Sequence, residues 1–230
     1  MTDYETMTYH RKGKTGYISF NRPQVLNAFR PLTIDEMRSA FQDAWDDDEI
    51  GVVVLTGENG NFCTGGDVKT RGEGGYQDEK GSVRLQVTHL HRLIREISKP
   101  VIAMVDGFAI GSGNILAYTC DFTIATTRSR FGQTGPRVGS PANGHGVAML
   151  AARVGQKRAR EIWMLCRQYT AQQAYDMGLV NTVVAPDQLW AEVDRWIADI
   201  KNVSPVILQM QKMSFNRHDH FQEPDQAPMQ

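Results

Sequence analysis

The sequence is poor in several features that would mark specialised classes of protein. Its 230 residues include only three cysteines, Cys63, Cys120 and Cys166, at unrelated spacings. This odd number without a repeated spacing predicts neither a disulfide framework nor a zinc site, and it is typical of a reducing compartment. The formal net charge is −1 and there is no long basic run, which argues against duplex nucleic acid as a partner.

Long apolar runs are lacking as well. Residues 1–16, MTDYETMTYHRKGKTG, contain no apolar core of signal-peptide length, and no run in the chain approaches the length of a membrane span. We therefore expect a cytoplasmic protein with no membrane partner and no metal. Hydrophobic residues make up 41% and charged residues 22% of the chain, which predicts an ordinary packed core.

Strand and helix patterns alternate along the chain. Residues 51–57 (GVVVLTG) form a continuous β-branched run, which is typical of a strand covered on both faces. A helix is predicted over TIDEMRSAFQDAWDDD, with Thr33 and Glu36 as a capping box. Further strands are predicted at GYISFNRP, KPVIAMVDG, DFTIATT and NTVVAP, and further helices at 83–98, VAMLAARVG, KRAREIWMLCRQ, AQQAYDMG, DQLWAEVDRWIADIKN and PVILQMQKMSF. This alternation predicts an α/β fold with a largely parallel sheet.

Two glycine turns, FCTGGD (62–67) and FAIGSG (108–113), each follow a predicted strand, and the second opens a helix. Backbone N–H groups at a helix N-terminus are unpaired and carry the positive end of the helix dipole. Two such turns side by side can aim two amides at one oxygen and form an oxyanion hole. The simpler interpretation, that the glycines only permit tight turns, is equally compatible with the spacing.

A third glycine-rich segment, FGQTGPRVGSPANGHG (131–146), holds five glycines, and two prolines exclude a helix or a central strand there. It offers hydroxyls, amides and one imidazole but no carboxylate. A hydrating enzyme would normally place an acid in such a loop. The charged stretch GGDVKTRGEGGYQDEKGS (65–82) is predicted to be a mobile surface loop.

Four segments in this order, NRPQVLNAF, FCTGGD, FAIGSGNILAYTCDFTIAT and FGQTGP, resemble the crotonase superfamily of enoyl-CoA hydratases and isomerases. The likeness extends to about residue 216. Other segments are similar to the 1,4-dihydroxy-2-naphthoyl-CoA synthases of menaquinone synthesis, with the ring-opening 2-ketocyclohexanecarboxyl-CoA hydrolases as near neighbours: NAFRPLT, GGDVKTRGEGGY, FGQTGPRVGS, KRAREIWMLCRQY and DMGLVNTVV.

The resemblance implies a crotonase-like spiral of ββα units, assembled as a homotrimer or hexamer, that acts on an acyl-CoA. We predict a core domain over 1–186, a C-terminal helical segment over 187–216 and a disordered polar tail over 217–230. Relatives extend several dozen residues further, through helices that close the acyl pocket, so the C-terminal helical region is expected to be short.

The resemblance also assigns roles to individual residues. The amides of Gly66 and Ser112 would hold the thioester oxygen as it becomes an enolate, an effect worth roughly 3–4 kcal/mol per donor in comparable sites. Hydratases of the superfamily use two glutamates, whose positions here are occupied by Ile115 and Gly135. Water addition by that pair is therefore not expected.

In the naphthoate synthases the second position is glycine, and a bicarbonate ion in the space acts as the base. Gln133, Thr134, Gly135 and Trp163 match the residues that cradle it, and amide, hydroxyl and indole donors suit a small oxyanion. Without the resemblance, Trp163 would be interpreted as a core aromatic of its helix. Further matching positions are Tyr76 and Ser140, which contact the reacting acyl group, and Val25, Ala28, Lys69 and Arg71, which bind CoA or substrate.

Three positions depart from the family pattern. Ala142 stands where relatives have an aspartate, and His145 stands where they have a tyrosine. His145 is a candidate proton donor because an imidazole in general titrates near neutrality, although a lone loop histidine is more often only a satisfied polar residue. Leu26 replaces a basic residue that many relatives place near the CoA phosphates.

These observations leave three functions open. The first is an enzyme that stabilises a thioester enolate while a carbon–carbon bond forms, as in the naphthoate synthases. The second is a β-ketoacyl-CoA hydrolase that opens a ring, or another member of the hydratase/isomerase family. The third is a degenerate acyl-CoA-binding or scaffold protein, which the residue at position 142 favours.

Overall fold

A twisted sheet of six strands forms the centre of the protein. The computed structural model describes residues 4–72, 75–77, 85–140 and 144–220. In chain order the strands are β1 (Met7–Lys12), β2 (Thr15–Phe20), β3 (Val52–Gly57), β4 (Arg71–Gly72), β5 (Gly75–Tyr76), β6 (Val101–Val105), β7 (Phe108–Ile110), β8 (Phe122–Thr126), β9 (Arg130–Gly132), β10 (Gln168–Thr170) and β11 (Thr182–Val184). The sheet has the order β1-β2-β3-β6-β8-β11, and every pair except β1–β2 is parallel.

The helices follow the strands in alternation. They are α1 (Pro31–Asp46), α2 (Val87–Glu96), α3 (Ser112–Thr119), α4 (Gly144–Val154), α5 (Gln156–Leu165), α6 (Ala171–Asp176), α7 (Leu189–Lys201) and α8 (Pro205–His220). The α/β class and the parallel sheet predicted from the alternating patterns are confirmed.

Both faces of the central strand β3 are buried. Val53 and Leu55 belong to the larger core cluster, which they share with α1, α2 and α3. Val52 and Val54 point the other way and pack with Val193 and its neighbours on α7. Because helices cover both faces of the sheet, neither face of β3 meets water, and a continuous β-branched run results.

A second, smaller sheet makes the fold a spiral. β7 pairs in parallel with β9, β9 pairs with β10, and an isolated parallel bridge joins Cys63 to Ala109 on β7. Each turn of the chain thus leaves the large sheet, contributes one extended segment to the small sheet and continues into a helix, as in β6–β7–α3 and β8–β9–α4. This arrangement places the two glycine turns next to each other.

The predicted capping box of the first helix is wrong. α1 begins at Pro31, so Thr33 lies inside the first turn, and its hydroxyl accepts a hydrogen bond from the Arg30 amide at 3.3 Å. Glu36 instead accepts hydrogen bonds from the backbone N–H groups of Glu5 (2.7 Å) and Thr6 (3.0 Å). A proline fits the first helical position without loss of a hydrogen bond. The helix therefore begins at Pro31, two residues before the predicted start at Thr33.

Two predicted segments are only partly described. Of the predicted surface loop at 65–82, the described residues include the β4–β5 hairpin, while 73–74 and 78–82 lie outside the described residues. α8 reaches His220 and so includes residues 217–220 of the predicted polar tail. Within the described ranges, no helix has both the length and the apolar character needed to cross a membrane.

Candidate active site

The segment NRPQVLNAF is held in place by the side chain of Asn27. Asn27 is fully buried and has a positive φ of 58°, next to Leu26 at 52°. Its side-chain oxygen accepts from the Arg22 amide at 2.9 Å, and its amide group donates to the carbonyls of Glu58 (3.0 Å) and Asn61 (2.6 Å). Asparagine tolerates the left-handed region better than most residues, so it can turn the chain and satisfy three backbone groups at once.

A buried ion pair joins this segment to the first glycine turn. The Arg22 guanidinium lies 3.0 Å from an Asp67 carboxylate oxygen, and the two side chains are only 13% and 8% exposed. Arg22 also donates to the Ala28 carbonyl at 2.6 Å, and Asp67 accepts from the Lys69 amide at 3.1 Å. The pair therefore fixes the position of the Gly65–Gly66 turn relative to the first predicted substrate-binding segment.

Removal of one partner of this pair should destabilise the fold. We expect Asp67→Ala to lower the free energy of unfolding by about 3 kcal/mol, because it leaves Arg22 buried without its counter-charge. Urea denaturation monitored by circular dichroism measures the change. The matched control is Asp35→Ala, which breaks the exposed pair between Asp35 and Arg38 and should cost less than about 1 kcal/mol. Equal effects of the two variants would contradict the structural role of the buried pair.

The two glycine turns are in direct contact. A Cβ atom at position 113 would overlap the carbonyl oxygen of Cys63, so only glycine lets the first turn of α3 approach that strand end. A Cβ atom at position 65 would stand 3.1 Å from the Ser112 amide nitrogen, and Gly65 has a φ of +88°. The glycines of FCTGGD and FAIGSG are therefore required both by backbone conformation and by the close approach of the two turns.

Two backbone amides at this contact have no hydrogen-bond acceptor within the part of the chain that the structure describes. Phe29 bonds to the carbonyl of Gly65 and accepts from the amide of Asp67, which leaves the Gly66 N–H between them unused. Ser112 is the first residue of α3, where an N–H has no partner within the helix. Neither N–H meets an acceptor among the described residues, so both suit the oxyanion-hole role that the sequence predicts.

Tyr76 lies over the first of these amides. A Cβ atom at position 66 would overlap the Tyr76 hydroxyl, so this phenol and the Gly66 backbone face the same space. Partial burial raises the pKa of Tyr76, Arg71 lowers it and Asp67 raises it, with a net increase. The phenol therefore keeps its proton at neutral pH and offers an O–H donor beside the Gly66 amide.

The segment that contains the turn at Gly135–Val138 contacts the second glycine turn through Gly132 and Thr134. Ser140 faces Gly135: a Cβ atom at position 135 would lie 3.2 Å from the Ser140 carbonyl and 3.9 Å from its hydroxyl. The Arg71 guanidinium is 3.5 Å from the carbonyl of Gly139, and the Thr134 hydroxyl is near Gly111. Thus Thr134 lies beside Gly111 and Ser140 lies beside Gly135. Arg71 and Lys69 are both exposed to solvent, and Arg71 reaches the Gly139 carbonyl.

Two buried side-chain donors have no acceptor among the described residues. The Gln133 side-chain nitrogen and the Trp163 indole nitrogen are both inaccessible to solvent and make no hydrogen bond within the described ranges. Gln133 is 1% and Trp163 is 7% exposed. An unsatisfied buried N–H costs about 1–3 kcal/mol, so a bound acceptor would remove a real penalty at these two residues.

The positions of the two hydratase glutamates hold no acid. Ile115 is 5% exposed and belongs to the main core, and Gly135 has no side chain. The carboxylate of Asp67, in the first glycine turn, is already paired with Arg22. Positions 115 and 135 therefore supply no pair of carboxylates for acid–base chemistry.

The predicted proton donor His145 has a different environment. It lies in the first turn of α4, where its ring stacks on that of His91 from α2, with centroids 6.0 Å apart. Ala142 lies outside the described residues. The catalytic role of His145 stays a prediction.

Comparison with known proteins agrees with this geometry. The family model described as enoyl-CoA hydratase/isomerase matches residues 10–229. This chain belongs to the enoyl-CoA hydratase/isomerase family. Similar solved structures include an enoyl-CoA hydratase from Mycobacterium avium subsp. paratuberculosis K-10, with 26% identity over 95% of this chain and 84% of that one and a TM-score of 0.85. An enoyl-CoA hydratase subunit I from Geobacillus kaustophilus HTA426 has 25% identity over 97% and 85% of the two chains and a TM-score of 0.83.

A third structure shows the shared fold at lower identity. The enoyl-CoA hydratase/carnithine racemase from Magnetospirillum magneticum is 24% identical over 98% of this chain and 85% of that one, with a TM-score of 0.86. The family consists of acyl-CoA enzymes, so the crotonase resemblance and the spiral fold predicted from the motifs are confirmed at that level. The roles of Val25 and Ala28 in substrate binding stay predictions; Val25 is half-buried and Ala28 is buried.

The sequence analysis did not predict the ion pair that fixes the position of the first glycine turn. Arg22 and Asp67 are 45 positions apart, and nothing in their local patterns signals a pair. His91 was detectable, since it falls on the apolar face of VTHLHRLIRE with Val87, Leu90 and Ile94. A histidine on such a face is a sign of a buried polar group.

Proposed function

We propose that this protein stabilises a thioester enolate of an acyl-CoA while a carbon–carbon bond is formed, as the 1,4-dihydroxy-2-naphthoyl-CoA synthases do. The observation that carries the proposal is an intact pair of free amides, at Gly66 and Ser112, combined with Ile115 and Gly135 at the two acid positions. Such a site can hold an enolate but has no carboxylate pair with which to add water. The Tyr76 hydroxyl and the Ser140 side chain would orient the acyl group.

The proposal includes a bicarbonate ion bound beside Gly135. The buried nitrogens of Gln133 and Trp163 lack acceptors among the described residues, and Thr134 adds a hydroxyl. Amide, indole and hydroxyl donors of this kind suit a small oxyanion. When bound, bicarbonate would supply the base that the chain itself lacks at this position.

A bicarbonate requirement can be tested with a tethered substitute. We expect activity to fall roughly 100-fold or more in carbonate-free buffer, the low end for loss of a general base. Gly135→Asp should keep part of the activity and lose the bicarbonate dependence. The rescue is expected to be partial, since the new Cβ atom would stand 3.2 Å from the Ser140 carbonyl.

The matched control is Gly135→Asn, which has the same size and no charge. It should be inactive with or without bicarbonate. A wild-type rate that is independent of bicarbonate, with Asp and Asn variants equally impaired, would show that Gly135 serves the turn alone.

The same pair of amides also suits the ring-opening reaction of a 2-ketocyclohexanecarboxyl-CoA hydrolase, because an enolate forms in that reaction too. Parallel assays with o-succinylbenzoyl-CoA, 2-ketocyclohexanecarboxyl-CoA and crotonyl-CoA separate the candidates. Ring closure of the first substrate supports the synthase, and ring opening of the second supports the hydrolase. Tight binding without any turnover would favour the acyl-CoA-binding protein. Assembly as a homotrimer or hexamer and the domain boundaries at 186 and 216 stay part of this proposal.

A further inference from the structure

A cavity of about 450 Å³ lies beside α5, and none of the described residues assigned to the proposed reaction lines it. Its lining includes three arginines, Arg137, Arg158 and Arg167, together with the carboxylate of Glu161 and the phenol of Tyr169. The other described lining residues are uncharged. We call this space the arginine cavity.

The three arginines come from three separate segments of the chain. Arg137 lies in the turn at Gly135–Val138, Arg158 lies in the first turn of α5, and Arg167 lies just before β10. Their convergence on one cavity is therefore a product of the fold. A ligand that binds all three side chains would also hold these segments together.

Contacts within the protein fix each guanidinium through one nitrogen. Arg137 donates to the Leu165 carbonyl at 3.2 Å. Arg158 and Arg167 donate to the Glu161 carboxylate at 2.8 Å and 3.4 Å. The other N–H groups of the three side chains meet no protein acceptor among the described residues, so they are available to a ligand. Because the side chains are already positioned, less conformational entropy is lost when a ligand binds.

The lining of the arginine cavity carries a net charge of +2, from three guanidinium groups and one carboxylate. The hydrogen bond from Tyr169 lowers the pKa of Glu161, partial burial raises it, and Arg158 and Arg167 lower it further, with a net decrease. The carboxylate is therefore ionised at neutral pH. A dianion would neutralise the lining, whereas a single carboxylate would leave it positive.

The chemistry of the donors also favours a phosphate group. Guanidinium groups bind oxyanions through paired N–H donors, and one guanidinium is enough for both oxygens of a carboxylate. A phosphate monoester has three terminal oxygens and a charge close to −2 near neutral pH. The formal net charge of the whole chain is −1, so the positive charge of the cavity is local and suits a small anion better than a polyanion.

We propose that the arginine cavity binds the phosphate group of a small phosphorylated ligand other than the acyl-CoA. This inference does not depend on the proposed function, because none of the three arginines is among the residues assigned to enolate formation or to CoA. The cavity is thus a second binding site on this chain.

Equilibrium dialysis of the full chain against radiolabelled inorganic phosphate tests the proposal. The measurement is made at constant ionic strength and about pH 8, where a phosphate group is a dianion. We expect saturable binding of one ion per chain, and acetate should bind at least about tenfold more weakly. Addition of coenzyme A should leave the phosphate bound.

The variants Arg137→Gln, Arg158→Gln and Arg167→Gln remove the three charges one at a time. Each should weaken phosphate binding about tenfold or more, the effect of losing a charge-assisted hydrogen bond. The matched control is Arg160→Gln, on the same helix, whose exposed side chain is not part of the described lining. It should bind phosphate as wild type does. Phosphate should raise the thermal midpoint of wild type and control more than that of the three variants, because a ligand of the folded state stabilises it.

Two results would overturn the proposal. Binding that does not saturate, or an equal loss in all four variants, would show only a general attraction of anions to positive surface charge. Displacement of the phosphate by coenzyme A would show that the cavity belongs to the acyl-CoA site. Neither result bears on the assays of the proposed function, so the two can fail separately.

Discussion

Crotonyl-CoA should remain unhydrated in this site. A positioned general acid or base contributes roughly 100- to 10,000-fold to a rate, and this chain has Ile115 and Gly135 where both acids would stand. We therefore expect a rate at least roughly 10,000-fold below that of a carboxylate-bearing hydratase. Loss of the ultraviolet absorbance of the conjugated thioester measures the reaction.

Binding of crotonyl-CoA in the same preparation is the control. Saturable binding measured by calorimetry would show that the missing step is chemical and that the substrate does reach the amides. Hydration at roughly one turnover per second or faster, a rate typical of enzymes, would show that another residue replaces the acids and would remove the basis of the proposed function.

Replacement of Ser112 by proline should remove half of the oxyanion hole. Ser112 is the first residue of α3, a position where proline is well tolerated because its missing N–H has no partner in the helix. Loss of one oxyanion donor typically lowers kcat by roughly 100- to 1000-fold. Exchange of the α-protons of o-succinylbenzoyl-CoA with deuterated water, followed by mass spectrometry, reports the enolate directly.

Ser112→Ala is the matched control for this experiment. It keeps the backbone N–H and removes only the hydroxyl, so its exchange rate should stay close to that of wild type. Both variants should have nearly unchanged circular dichroism. If proline and alanine reduce exchange equally, the hydroxyl of Ser112 matters and the backbone amide does not.

Local sequence patterns were sufficient for the architecture. The run VVVL of β3 is apolar because both of its faces are covered, and periodicity along a strand records that directly. Gly178, with its φ of +77°, ends α6 as its position after the helical pattern predicts. Each of these features depends on residues close together in the chain, so a short window of sequence contains all the information that is needed.

For the pair of glycine turns, local sequence contains only part of the information. Their sequences indicate two strand-to-helix turns with free amides. Their mutual contact, with Gly65 against the Ser112 amide and Gly113 against Cys63, depends on how two distant segments pack. The capping box predicted from Thr33 and Glu36 was wrong for a related reason: Glu36 accepts hydrogen bonds from Glu5 and Thr6, just before β1 and about 30 residues away in the chain.

The sequence by itself thus determined the α/β class, the family motifs and the absence of acids at positions 115 and 135. Only the tertiary structure decided which groups are buried and which of them find partners. The Arg22–Asp67 pair joins segments far apart in the chain. The side chains of Gln133, Trp163, His91 and Asn114 are buried, and polar atoms of each lack a partner among the described residues. Hydrogen bonding and desolvation depend on three-dimensional distance, and local periodicity carries no record of which distant side chain, if any, will be there.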